Sequence, residues 1–410
     1  MKFTKQKLGE FLRVTRGASL PGTGYADEGK YLRLTLANFH EEGGFKEFKS
    51  TQGKYFVGTF DKRFIMHKGD LITPLTEQSP GLLGSVAIIP CDNLYIQSQD
   101  VGLITCNAEK LDERFAYYMF LTNSVREQIS ARSQQTKIRH TSPDKIADVE
   151  VYLPDLSTQL RIAGVLGSLD EKIELNRKKI AELEALAKTI YDYWFVQFEF
   201  PDKNGKPYKS SGGKMVWSDQ LKREIPAEWK VHKLPRTADF LFGYPFDATM
   251  FNSTGEGTRI VRIRNIKGGI SNDFTTEKAP DEYVIHDGDL LVGMDGYFDM
   301  NVWVGGDAYL VQRSCRIQAK DKAYQGYLRR FIIPPIKQLE KNLLGATVAH
   351  LGKSHLDAVD VIVPPKGISA LEMLNALDAS IVRCGLEVSE LASYRDALLP
   401  LLMNGQVVVK

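Results

Sequence analysis

The sequence has few features of a membrane protein or a disulfide-bonded protein. Its 410 residues contain only four cysteines, none in C-x-x-C spacing. No stretch of apolar residues approaches the length needed to span a membrane. The formal net charge is only +2, so a uniformly basic surface is excluded. We therefore expect a soluble, cytoplasmic protein of a reducing compartment, with no membrane partner.

Motifs of phosphate- and metal-dependent catalysis are also missing. There is no G-x-x-x-x-G-K-[ST] loop and no strand-borne G-x-G-x-x-G. His350 and His355 have no cysteine or third histidine near them in the sequence, so zinc is not indicated. A loose nuclease pattern, Asp202 with Glu228 and Lys230, crosses a glycine- and lysine-rich segment that offers no rigid support. We expect this chain to have no catalytic residues, no cofactor and no metal.

What the sequence does contain is an internal repeat of roughly 210 residues. The segment HKGDLI at His67 recurs as HDGDLL at His286, and the segment from His140 to Pro154 recurs from His350 to Pro364. A third match pairs IAEL at Ile180 with VSEL at Val388. Because the matches keep their order, one long unit occurs twice. A single duplication of this length predicts two lobes with a pseudo-twofold relation, whereas solenoids arise from short repeats.

Each copy has a β-rich front and a helical back. Residues 31–36 and 260–264 alternate apolar and polar side chains, which predicts half-buried strands, and helices are predicted at about 112–131 and 322–343. The predicted fold class is α+β, with two duplicated globular domains separated by two long antiparallel coiled-coil helices. The predicted segments are lobe 1 (1–153), a long helix (154–200), a linker (201–228), lobe 2 (229–363) and a second long helix (364–410). The start of the linker, residues 201–214, is expected to be extended and to lack a core.

The helical backs carry a coiled-coil seam with alternating spacings of three and four. The predicted helix interface comprises Leu169, Ile173, Asn176, Ile180, Leu183, Ile190 and Trp194 in the first helix, and Ile381, Val388, Leu391 and Leu398 in the second. Asn176 is either a tolerated polar residue or a determinant of helix register. About forty residues make a rod of roughly 60 Å. Pro400 is expected to shorten or kink the second helix.

Polar and basic residues cluster at matching places in the two copies. The candidate DNA-binding residues are Arg33, Asn38, Gln134, Gln135, Thr136, Lys137, Arg139 and His140 in lobe 1, and Arg259, Arg262, Arg264, Asn265, Lys267, Thr347 and His350 in lobe 2. Arginine and lysine neutralise phosphates, and arginine, asparagine and glutamine form paired hydrogen bonds with base edges. A strand over 260–264 would place Arg262 and Arg264 on one face. The alternative is a solvated charged surface without a ligand.

Four short motifs resemble those of a known family. They are KLGE at Lys7, the helix entry LPDLSTQLRIA at Leu153, LDEKI at Leu169 and IPAEWK at Ile225. Together with the duplicated lobes and long helices, they resemble the specificity subunit of type I restriction-modification enzymes over essentially the whole chain. The second copy departs from the pattern, because residues 368–372 lack the glutamine that usually precedes the helix.

The resemblance implies a function. Each lobe would read one half of a split double-stranded DNA site, and the helices would hold the halves about one DNA turn, roughly 34 Å, apart. Two methylation subunits would dock on the helices and restriction subunits would join them, and S-adenosylmethionine, ATP and Mg²⁺ would belong to those partners. Two rival hypotheses are a nuclease or stand-alone methyltransferase, and a structural coiled-coil protein whose lobes bind other proteins.

Overall fold

The structure consists of two compact α+β units. The computed structural model describes residues 4–78, 80–133, 138–343 and 349–409. Unit 1 comprises residues 1–171 with 393–410, and unit 2 comprises residues 172–392. None of the described helices combines the length and apolar character needed to cross a membrane.

Unit 1 contains, among its described residues, two four-stranded sheets and two short strand pairs. The first sheet has the strand order Leu12–Arg16, Val101–Cys106, Leu71–Pro74 and Ala87–Ile88. The second has the order Tyr25–Ala26, Tyr55–Phe56, Tyr31–Arg33 and Tyr95–Ile96. The pairs are Thr4–Lys7 with Glu150–Leu153, and Thr76–Glu77 with Arg139–His140. The first pair joins the start of lobe 1 to its end, which closes the lobe immediately before the helical back.

Three helices complete lobe 1 within its described part. They are α1 (Glu113–Leu121), α2 (Asn123–Ala131) and α3 (Pro143–Ala147). The single helix predicted over 112–131 is therefore interrupted, because Thr122 has an extended backbone. The strand predicted over 31–36 ends at Arg33, since Thr35 caps a 3-10 helix over Leu36–Asn38.

Unit 2 repeats this topology. One sheet has the order Ala238–Phe242, Ser314–Ala319, Leu290–Gly293 and Met300–Val302. The other has the order Phe251–Asn252, Asp273–Thr275, Thr258–Val261, Ala308–Leu310 and Val284–Ile285. Lys230–Lys233 pairs with Asp360–Val363 and closes lobe 2 as the corresponding pair closes lobe 1. The helices are α4 (Ile263–Ile266), α5 (Gln325–Phe331), α6 (Ile333–Leu343) and α7 (Lys353–Ala358). The duplicated α+β fold is thus confirmed.

The predicted linker over 201–228 contains a hairpin in its second half, whereas none of residues 201–214, the part expected to lack a core, is buried. Met215–Ser218 and Arg223–Pro226 form an antiparallel hairpin, from which Ile225 enters the core of unit 2. Before the hairpin, the Tyr208 ring stacks on Phe200 with centroids 4.6 Å apart. The apolar side chains that reach the core belong to the hairpin and not to residues 201–214.

The two long helices span Leu156–Tyr191 and Ser369–Met403, and we call them the first and second long helix. The first ends in a π-helical turn over Asp192–Val196, and the second continues past Pro400 for three residues. None of the eleven predicted interface residues is exposed. Contacts at two heights show an antiparallel direction within each unit. In unit 1, Asp170 meets Arg395 and Arg161 meets Val409. In unit 2, Lys172 meets Glu387, and Glu184 and Asp378 both pair with Arg329.

Asn176 is 4 % exposed on the seam of unit 2. Lys172 first, and Asn176 second, hold the pKa of the Glu387 carboxyl below its usual value, because both groups stabilise the charged form. The Asn176 Nδ2 atom nevertheless has no partner at full hydrogen-bond geometry among the described residues. An incompletely satisfied buried amide favours a role in helix register over a role in stability.

The helix entries of the two copies are held by different amides. In unit 1, Gln159 accepts a hydrogen bond from the Asp112 N–H and donates to the Lys110 carbonyl, each at 3.0 Å. In unit 2, Asn375 accepts from the Gly326 N–H at 2.7 Å and donates to the Ala323 carbonyl at 2.9 Å. The glutamine missing from the second copy is therefore replaced by an asparagine further along the second long helix.

A carboxylate joins three helices in unit 1. Asp170 of the first long helix accepts a hydrogen bond from the Tyr118 hydroxyl of α1 at 2.6 Å and from Arg395 of the second long helix at 2.9 Å. Burial and the bond to Asp170 raise the pKa of Tyr118 well above its usual value, so the phenol remains the donor.

Unit 2 has a carboxylate at the same place in the repeat, because Asp378 follows Asp170 by as many residues as Val388 follows Ile180. Asp378 of the second long helix binds Arg329 at 3.0 Å and Arg330 at 2.7 Å, both from α5. Glu184 of the first long helix pairs with Arg329 as well. In each unit, therefore, one charged cluster ties a helix of the lobe to both long helices.

We predict that Asp170→Asn lowers the free energy of unfolding by about 1–3 kcal/mol, because two hydrogen bonds lose their charged acceptor. Urea unfolding followed by circular dichroism measures this. Glu150→Gln is the control, since it removes the charge of an ion pair, Lys5 to Glu150 at 2.7 Å, that is open to solvent. Equal effects of the two variants would contradict the structural importance of Asp170.

Candidate nucleic-acid interface

The two candidate asparagines have the same local role. Asn38 accepts a hydrogen bond from the Thr35 N–H, and Asn265 accepts one from the Arg262 N–H, each at 2.9 Å. Asn38 is fully buried and also donates to the Lys46 carbonyl at 3.0 Å. Their shared position after the matched strands therefore reflects capping of a short helix, and the Asn38 amide does not face solvent.

Arg139 is also committed to the interior of lobe 1. It pairs at 2.8 Å with Glu77, whose side chain is 1 % exposed, and donates to Ser130 and Ser133. The other Glu77 oxygen accepts the N–H groups of residues 81–83 at 2.8–3.1 Å. This arginine therefore neutralises a buried carboxylate that shapes a loop. The neighbouring candidates Gln134, Gln135, Thr136 and Lys137 lie outside the described residues, as does Thr347 in lobe 2.

The prediction that Arg262 and Arg264 share a strand face is wrong. The strand ends at Val261, and α4 begins at Ile263 because the Asn265 side chain caps it. Arg262 lies over the Phe251 ring, with the guanidinium carbon 5.3 Å from the centroid. Exposed Arg264 pairs with Asp273, with Nε 3.2 Å from the carboxylate oxygen.

The other basic candidates of lobe 2 differ in availability. Arg259 lies over the Phe274 ring and donates to the Gly305 carbonyl, so it supports the sheet. Lys267 is exposed, and its backbone carbonyl accepts from Asn301 at 2.9 Å. Together with Arg262 and Arg264, Lys267 leaves a basic surface at α4.

A polar cavity of about 330 Å³ opens on lobe 1 beside Arg33. The Arg33 guanidinium stacks 3.9 Å above the Tyr25 ring, and its buried Nε has no hydrogen-bond partner among the described residues. Gln78, Gln99 and Asp100 also line the cavity. The Leu75 N–H donates to the carbonyl of Asp100 at 2.8 Å, and the Leu75 carbonyl accepts from Thr141 at 2.9 Å, next to exposed His140. We define rim 1 as Arg33, Gln78, Gln99, Asp100 and His140.

In lobe 2, Met294 makes the same two backbone hydrogen bonds as Leu75 in lobe 1, and the surrounding side chains differ. The Met294 N–H donates to the carbonyl of Arg313 at 2.9 Å, and its carbonyl accepts from Leu351 at 2.7 Å. Asp295 pairs with His350 across the resulting bridge, and the Tyr297 side chain is 70 % exposed beside them. We define rim 2 as Asp295, Tyr297, Arg313 and His350.

Both rims place hydrogen-bond donors and acceptors at the surface, and such groups can read the edges of bases. Among the described residues, no group of three or more His, Cys, Asp or Glu side chains is arranged to hold a metal ion. Asp202 of the loose nuclease pattern caps a turn instead, accepting the N–H groups of Asn204 and Lys206 at 2.8 and 2.9 Å.

Comparison with known proteins finds similarity to one family. The family described as "Type I restriction modification DNA specificity domain" matches residues 2–185. The type I restriction enzyme MjaIX specificity subunit of Methanocaldococcus jannaschii is 24 % identical over 358 residues, covering 84 % of this chain and 79 % of that protein. The EcoBI specificity subunit of Escherichia coli is 25 % identical over 190 residues, covering 45 % of this chain and 40 % of that protein.

The fold agrees with that of a specificity subunit over nearly the whole chain. The S subunit of the type I restriction-modification system from M. genitalium superposes with a TM-score of 0.59 at 16 % identity, covering 98 % of this chain and 96 % of that one. The resemblance seen in the sequence is confirmed. The relatives are specificity subunits, in agreement with the expectation that the chain is not itself an enzyme.

Sequence reasoning missed Gln78, Gln99 and Asp100 in rim 1, and Asp295, Tyr297 and Arg313 in rim 2. A signal for them exists, because each set follows strands that match between the copies. Gln99 and Arg313 come just after LYIQ and YLVQ, which begin at Leu94 and Tyr309. Loops after matched strands are where function concentrates on a duplicated scaffold.

Arg139→Ala and Arg262→Ala should affect different properties, the first the stability of the protein and the second its DNA binding. We predict that Arg139→Ala lowers the free energy of unfolding by about 2–4 kcal/mol, because buried Glu77 loses its cation. Arg262→Ala should change stability by less than about 0.5 kcal/mol while weakening DNA binding. Thermal unfolding and DNA titration measure the two effects, and a stable Arg139→Ala protein would refute the interior role.

Proposed function

We propose that the chain recognises a bipartite double-stranded DNA site, one half per lobe, and assembles with methylation and restriction subunits. The proposal rests on one observation: the same backbone hydrogen bonds support both rims, but the side chains of the two rims differ. Met294 makes the hydrogen bonds that Leu75 makes, yet rim 1 presents Gln78 and Asp100 where rim 2 presents Tyr297 and Arg313. Two similar backbone arrangements that present different polar side chains suit the recognition of two different half-sites.

The surfaces of the long helices support binding of two copies of one partner. In unit 2, Leu186 and Tyr193 of the first long helix and its π turn are 49 and 41 % exposed. In unit 1, Tyr394 and Leu401 of the second long helix are 61 and 36 % exposed. Tyr394 follows Leu186 by as many residues as Leu401 follows Tyr193, so both pairs occupy one place in the repeat. Exposed apolar pairs at equivalent places suit equivalent partners.

The first test concerns modularity. Replacing residues 1–153 with the corresponding lobe of a relative should change one half of the recognised site and leave the other half unchanged. The measurement is selection from randomised DNA by the complex recovered with this chain. The affinity for DNA should be measurable at low salt and should fall steeply as the salt concentration rises, because phosphate contacts release counterions. A swap that altered both halves would contradict independent reading, and absence of DNA binding by the unmodified complex would favour a purely structural role.

The second test concerns stoichiometry. Leu186→Asp should remove one methylation subunit, Tyr394→Asp the other, and the double variant both, because a buried aspartate opposes an apolar contact. Native mass spectrometry of the complex gives the count. Lys178→Ala, at an exposed position of the first long helix, is the control and should leave the composition unchanged. Loss of both copies from either single variant would contradict two separate docking surfaces.

A further inference from the structure

Rim 2 contains an Asp–His–Arg cluster at the surface of lobe 2. The Nδ1 atom of His350 lies 2.6 Å from one Asp295 oxygen and 3.5 Å from Nη1 of Arg313. The second Asp295 oxygen lies 3.7 Å from the same Arg313 atom. The three side chains are 45, 28 and 57 % exposed in the order His350, Asp295, Arg313. The carboxylate therefore orients both an imidazole and a guanidinium that remain open to a ligand.

Asp295 fixes which nitrogen of His350 carries a proton. An ionised carboxylate only accepts hydrogen bonds, so Nδ1 must be the donor to it. In the neutral imidazole the other nitrogen, Nε2, is then an acceptor. A fixed acceptor at this position matches an exocyclic amino group, which in the major groove belongs to adenine or cytosine.

Arg313 is held in a backbone conformation that favours glycine. Its φ is +69°, in the left-handed region that costs other residues free energy. The Met294 N–H donates to the Arg313 carbonyl and helps hold this conformation. Strained residues that persist at a surface point to a function for the side chain. A guanidinium held here matches the two acceptors of the guanine edge, O6 and N7.

We propose that His350 and Arg313 read neighbouring base pairs of the second half-site, with Asp295 as the positioning residue. His350 accepts from the amino group of adenine or cytosine, and Arg313 donates to guanine. This inference rests on the proposed function and assigns base contacts within it. Lobe 1 differs because Thr76 pairs with His140 there, so no carboxylate stands in the place of Asp295.

The decisive variant is Asp295→Asn. The Arg313 guanidinium lies 3.7 Å from one side-chain oxygen of Asp295 and would repel an amide NH2 group placed there. The amide oxygen of the variant therefore faces Arg313, and the amide nitrogen faces His350 and donates to Nδ1, which leaves Nε2 as the donor. Selection from randomised DNA by the complex recovered with this chain should show the preference at one position move from adenine or cytosine to guanine or thymine. His350→Ala should relax the same position by about tenfold. His286→Ala is the matched control, because His286 pairs with Asp307 at 2.7 Å at the other end of strand Leu290–Gly293.

Arg313→Gly separates reading from folding. Glycine tolerates the left-handed backbone, so the melting temperature of the full chain should stay equal or rise. Guanine preference at the neighbouring position should fall by about tenfold. If a folded Arg313→Gly or Asp295→Asn protein keeps the base preference unchanged, the inference is overturned. Specific DNA binding by the unmodified complex would in that case still support the proposed function. Failure of the unmodified complex to bind DNA overturns both.

Discussion

The placement of Asp170 and Asp378 is the constraint on which the rest of the structure depends. Each carboxylate lies on the helix that follows its own lobe, and each cluster also reaches the other long helix. A half-buried carboxylate needs its cation and donors within hydrogen-bond distance, so the helices cannot slide by one residue without leaving a charge unpaired. Apolar seams tolerate small shifts in register, whereas these clusters do not. The position of each lobe on its helices is therefore set by charge as well as by packing.

The repeat and the long helices could be predicted from sequence, and the reason is periodicity. Seam residues such as Ile173 and Val388 recur at spacings that only a helix presents on one face. Loop chemistry has no such period. Asn38 and Asn265 share a position and a residue type that suit base reading, yet both cap short helices. Asparagine serves both purposes, and only the direction of its amide distinguishes them.

The sequence places the rim loops after matched strands, but it does not show that these loops meet, because long-range hydrogen bonds assemble the rims. Leu75 brings together residues near positions 100 and 141, and Met294 does the same near 313 and 351. Arg139 shows the opposite outcome, since a basic residue in a polar run is directed inward by a carboxylate more than sixty positions away, Glu77. Charge clusters along a chain therefore indicate surface poorly unless the distant partner is known.

The last described residues of the chain belong to the first unit. Leu402 and Met403 are buried with Leu8, Ile162 and Leu166 in one core. A growing chain can fold the β-rich part of lobe 1 early, but these apolar side chains stay uncovered until the ribosome has translated all of lobe 2. Contacts so distant in sequence also slow folding, because the loop must close before they form. A nascent chain of this protein therefore carries an unfinished N-terminal unit for most of its synthesis, with apolar side chains of that unit exposed to water until its last helix is made.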